Sequence, residues 1–215
     1  MSDTHSPAAV RTRAGARVWV LSLGAALGGG LALGVLTNLA QGWLPGGWNQ
    51  LANSGAVWTV AAFAAGAVLA RRPLPVAVAG GLCAEAGLVA GYYGYAEFGR
   101  DGMGDLFFPL VWLAMAFVAG PLFGVAGAWW RRGRDRRRRV AGPAALAGVF
   151  GMEGLLAAWN LHHASQAWAC LAAMVLVPLL LGRTLRERAL TLTAAVPLAL
   201  IAYAVVVIPL MSLSG

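Results

Sequence analysis

"WWRRGRDRRRRVAG", Trp129 to Gly142, gathers seven arginines and one aspartate between two strongly apolar stretches. In a soluble protein such a run would point to nucleic acid. Here apolar segments abut it on both sides, so its meaning is topological: a short basic loop between membrane spans stays on the cytoplasmic face. Its charges are expected to rest on anionic headgroups, each contributing about 1 kcal/mol near the surface. The partner implied for Arg131–Arg139 is thus the lipid bilayer, with no nucleic acid.

The rest of the 215 residues agrees, with 60% hydrophobic, 11% charged and a net charge of +8. Soluble domains carry roughly 25% charged residues. Mean hydropathy is +0.71. A hydrocarbon core about 30 Å thick is crossed by about 20 apolar residues. Runs bounded by Arg, Gly and Pro predict seven spans, at about 18–40, 55–70, 74–95, 107–130, 140–159, 166–182 and 189–211. They form one transmembrane helical domain, 18–211, between a cytoplasmic tail, 1–17, and an outer tail, 212–215.

All sixteen basic residues are arginine. With the N terminus inside and the C terminus outside, only Arg100 falls on the outer face, and dropping or merging one span would scatter the clusters over both faces. The fold class expected is therefore all-α, a polytopic bundle of about seven spans. A composition dominated by Ala, Gly and Arg is typical of GC-rich bacterial genomes, which places the protein in a bacterial plasma membrane. The first apolar run lacks a small-x-small cleavage site at the proper distance, so it is read as a retained span. Little chain is left for a soluble catalytic domain. Cys83 and Cys170 lie in apolar runs and are read as packing residues.

Two carboxylates stand inside spans: Glu85 near the middle of the third and Glu153 toward the outer end of the fifth. An acid at mid-span costs roughly 2.5–3.5 kcal/mol, so it faces a protein interior or an aqueous cavity. Helical spacing puts Glu85, Val89 and Tyr92 on one face, and Glu153, Ala157 and Asn160 on another. A neutral Glu that ties helices together is the structural alternative for each. His162 and His163 are adjacent, not the i, i+4 pair that grips zinc, so no metal or other cofactor is expected. Trp19, Trp129 and Trp130 near inner ends, and Trp43, Trp48, Trp112, Trp159 and Trp168 near outer ends, read as interfacial belts.

The segment "GWLPGGWNQLANSGAVW", Gly42–Trp58, has no charge yet three tryptophans and three side-chain amides. It precedes a short second span, the pattern of backbone that dips into a bundle where protein or a water-filled cavity covers it. Asn53, Ser54 and Gly55 would open that span's helix, whose free N–H groups attract anions. "WNQLANS" (Trp48–Ser54) matches "WNLHHAS" (Trp159–Ser165) as Trp-Asn-x4-Ser, two related outer corners. Together these point to a polar site in the outer half formed by Asn49, Asn53, Glu85, Tyr92, Glu153 and Asn160.

The run "TNLAQGWLPGGWNQLANSGAVWTVAAFAAGA", with "RRP", "GYYGYA" and "GPLFGVAGAWWRRG", resembles a family of small multi-span membrane proteins of actinobacteria with no assigned function. The chain is also similar, more loosely, to the substrate-binding subunits of energy-coupling-factor vitamin transporters. That similarity implies a ligand held under an outer loop after the first span, and a partner subunit docked on small residues of the first helix. Gly24/Gly28 and Gly30/Gly34 in "GAALGGGLALG" offer such residues, although the chain has seven spans where those subunits mostly have six.

The reading preferred is a protein that binds or transports a small solute. The alternative is a structural or assembly subunit without a ligand. An enzyme acting on a lipid-linked substrate is less favoured, because no nucleophile elbow, zinc helix or Asp-rich phosphate motif is present.

Overall fold

The computed structural model describes residues 7–100, 102–132 and 134–209; the outer tail, 212–215, and the first six residues of the inner tail lie outside them. The described residues are all-α, with seven helices among them long and apolar enough to cross a membrane. The elements are α1 (Pro7–Trp43), α2 (Asn49–Ala52), α3 (Gly55–Val68), α4 (Leu74–Gly99), α5 (Phe107–Arg132), α6 (Arg136–Trp159), α7 (Ala164–Leu181) and α8 (Leu185–Ala202). A π-helical turn, Tyr203–Val207, prolongs α8. Helix ends lie within a few residues of the spans expected from the apolar runs, except that α1 begins earlier, inside the expected tail, and α8 gives way to the π-helical turn after Ala202 where the span was expected to reach 211.

Two groups of helices make the bundle. α4 packs against α1, α5 and α3, while α6 packs against α7 and α8; α5 against α6, and less extensively α3 against α6, join the groups. Absent side chains allow the closest crossings. A Cβ on Gly66 would overlap the carbonyl of Gly124, and one on Gly127 the carbonyl of Phe63, so α3 and α5 meet backbone to backbone. Gly30 and Gly34 fit in the same way against the carbonyls of Ala84 and Leu88 on α4. Half of the small-residue pattern in the first span is therefore used within the chain, whereas Gly24 and Gly28 face open space.

One end of the bundle is tied by arginine. Arg132 donates from Nε to the Ala70 carbonyl (2.7 Å) and from Nη2 to that of Arg72 (2.6 Å). Arg139 pairs with Glu187 at 2.8 Å, and the Trp130 indole donates to the Leu181 carbonyl at 3.0 Å. Thr184 caps α8 by accepting from the Glu187 N–H at 3.1 Å. The loop after α3, the ends of α5 and α7 and the starts of α6 and α8 thus share one face.

At the opposite end, Gly42–Trp58 divides in two. α1 runs on to Trp43, Gly46 turns the chain at φ +54°, and a 3-10 turn (Gly46–Trp48) leads into α2. Trp43 and Trp48 remain exposed. Only the second half turns inward, burying Ala52, Ser54, Ala56 and Trp58.

Candidate functional site

The inward half of that segment is organised by the first turn of α3. Ser54 is the N-cap, its hydroxyl accepting from the Val57 N–H at 3.1 Å. The next free donor, the Ala56 N–H, reaches Glu153 Oε2 at 2.7 Å. Glu153 Oε1 accepts from Gln166 Nε2 at 2.9 Å, and Gln166 Oε1 lies 3.4 Å from His163 Nδ1. The acceptor at this helix start is the chain's own carboxyl, placed by α6 where the α3 dipole is positive. Gly55 leaves room above it: a Cβ there would stand 3.2 Å from the Trp112 ring and 3.8 Å from Glu153 Oε2.

A second group of polar residues surrounds Trp58. Its indole N–H donates to the Ala52 carbonyl at 3.1 Å, and its ring centroid lies 5.1 Å from that of Tyr92 and 5.0 Å from that of Trp112. The Tyr92 hydroxyl donates to Gln41 Oε1 at 2.5 Å, while its backbone carbonyl accepts from Asn38 Nδ2 at 3.0 Å. Residues of α1, α3, α4 and α5 therefore meet here, with Leu88, Val89 and Ala116 filling the remaining space.

Glu85 stands two turns before Tyr92 on the same face of α4. It is 5% exposed, and its Oε2 has no hydrogen-bond partner among the described residues. Asn38 Oδ1 and Asn53 Oδ1 are likewise buried acceptors without a donor. Thr191 Oγ1 on α8 is a fourth buried polar atom without a partner among the described residues, and each such atom is costly in hydrocarbon.

The six residues expected to form one site thus fall into different settings. Tyr92 and Asn53 adjoin Trp58, the former by ring contact and the latter next to the carbonyl that Trp58 binds. Glu153 is held at the start of α3. Glu85 and Glu153 lie on α4 and α6, which scarcely touch, while α3 packs against both. Asn49 is half-buried at the start of α2, and Asn160 is exposed, accepting from the Tyr203 hydroxyl at 2.5 Å.

Gln166, Gln41, Asn38, Trp58 and Trp112 also belong to these groups, although the site expectation omitted them. Trp112, expected in the outer belt, instead turns its ring toward Gly55 and Trp58. The two Trp-Asn-x4-Ser corners are neighbours: a Cβ on Gly47 would stand 2.8 Å from Ser165 Oγ. Their serines differ in role, because Ser54 caps α3 whereas Ser165 follows the His163 N-cap of α7.

The chain belongs to the family of unknown function DUF6518, whose family model matches residues 13–212. None of the curated proteins and none of the solved structures matches it.

Proposed function

We propose that this multi-span membrane protein binds or transports a small solute rich in N–H or O–H donors, taken up in the outer half of the bundle beside Trp58 and Tyr92. The observation that carries this is the set of three buried, donorless acceptors, Asn38 Oδ1, Asn53 Oδ1 and Glu85 Oε2. A ligand amine or hydroxyl supplies what such atoms lack, and an aromatic wall with a few polar groups is the usual make-up of a small-molecule pocket. In this reading Glu85 recognises the solute or carries a coupling proton. Glu153 positions the start of α3, and with it Asn53 and Trp58.

The structural reading rests on Glu153, both of whose oxygens are engaged by donors from other elements. One experiment separates the two. Small molecules released from the purified wild type, Glu85→Gln and Asn53→Ala would be identified by mass spectrometry. Solute binding predicts a compound retained by the wild type and lost from both variants at unchanged thermal midpoint. No retained compound, with both variants less stable, favours the assembly subunit.

A further inference from the structure

A cavity at the arginine-rich end lies away from the Trp58 and Glu153 groups. It measures about 1530 Å³ and opens between α3 and α7, which scarcely touch. Val60, Ala64 and Val68 form one wall, Leu176 and Leu180 the other, and Phe63, Leu146 and Phe150 the floor. Val68 and Leu180 are 80% and 77% exposed, so this groove faces the hydrocarbon of the membrane sideways.

Its mouth is cationic. Arg71, Arg131, Arg132, Arg134, Arg138 and Arg183 line it, against a single acid, Asp135. The carboxyl of Asp135 is used as an N-cap, accepting from the Arg137 N–H at 3.0 Å. Arg131 and Arg138 are held over the rings of Trp130 and Trp129. Among the described residues Arg71, Arg131, Arg134 and Arg138 have no carboxylate partner. The combination of an apolar slot open to acyl chains and an unneutralised arginine rim at headgroup depth is matched by one chemistry, a phosphate headgroup on a lipid tail.

We propose that the groove between α3 and α7 holds one anionic phospholipid of the inner leaflet, its phosphate among Arg71, Arg131, Arg134 and Arg138 and an acyl chain along Ala64 and Leu180. This is a defined site, beyond the general attraction of a basic loop to a charged surface. Arg136 and Arg137, in the same arginine run at the start of α6 but not lining the groove, provide the control for that distinction.

The delipidated full-length chain would be titrated with phosphatidylglycerol or phosphatidylcholine, and bound lipid counted by native mass spectrometry. One phosphatidylglycerol per chain should be retained in preference to phosphatidylcholine. Arg134→Gln/Arg138→Gln should weaken it about tenfold or more, and Arg136→Gln/Arg137→Gln, with the same loss of charge, less than about twofold. Ala64→Trp, which fills the slot and leaves every arginine in place, should weaken it as strongly as the groove pair does. Equal retention of both lipids, equal effects of the two arginine pairs, or full binding by a folded Ala64→Trp would each overturn the site. Displacement of the lipid by inorganic phosphate or glycerol 3-phosphate would assign the arginines to a soluble phosphate instead. If Ala64→Trp does not fold, the comparison of the two arginine pairs decides.

Discussion

Glu85 and Glu153 are buried to the same degree, each 5% exposed, in helices that both pack against α3, yet their surroundings are opposite. Glu153 joins three elements through two short hydrogen bonds, from the Ala56 N–H of α3 and the Gln166 amide of α7. Glu85 has aromatic and aliphatic neighbours along its face and a donorless oxygen. The cost of putting an acid inside a membrane is offset in the first case by fixed donors at a helix start. In the second no described residue offsets it. Burial alone therefore does not distinguish an acid that holds helices together from one available to a ligand; the partners do.

The contrast is tested most severely at Glu153. Glu153→Leu strands two buried donors at about 1–3 kcal/mol each, and it should give the largest loss of stability of any single change considered for this region. Thermal or denaturant unfolding in detergent measures it. Glu153→Gln, whose amide oxygen still accepts one donor, should lose less. A Glu153→Leu protein as stable as the wild type would erase the difference between the two acids.

Gln166→Leu removes one of the two bonds and spares the other, so its cost should be smaller, about 1–2 kcal/mol. A double-mutant cycle with Glu153→Leu isolates the coupling, expected at about 0.6–2 kcal/mol, the range of polar contacts between membrane helices. Tyr92→Phe comes next. It gives up only the hydroxyl bond to Gln41 and keeps the ring against Trp58, which predicts a cost of about 0.5–1.5 kcal/mol in the same unfolding assay.

The span count could be read in the sequence because a hydrocarbon core sets a length and arginine marks the ends, as in Leu69–Arg72 and Trp129–Arg139. Pairing was far less legible. Lipid tails are as apolar as a protein core, so membrane helices lack the stripe that tells which face turns inward. Spacing placed Glu153 on one face with Ala157, but one of its two donors is 97 positions away in the chain. Trp112 stands near a helix end, as a belt residue does; only the missing Cβ of Gly55 admits its ring to the interior. The capping role of Ser54 could be read locally, because a cap needs nothing beyond its own turn.

The smallest effect on stability, and the sharpest test of the comparison, belongs to Glu85→Leu. The two side chains are similar in size, and the substitution removes a buried acceptor that has no donor to strand, so stability should stay level or rise by up to about 1 kcal/mol. Solute retention should vanish in the same preparation. A loss of stability as large as that of Glu153→Leu would give Glu85 a partner supplied by the membrane-embedded protein itself and return both acids to a structural role. Level stability with the solute gone would mean that the bundle tolerates an unpaired acid because it is paired when the protein is loaded. The energetic burden of Glu85 would then fall on the empty state, making release of the solute the step at which that burden returns.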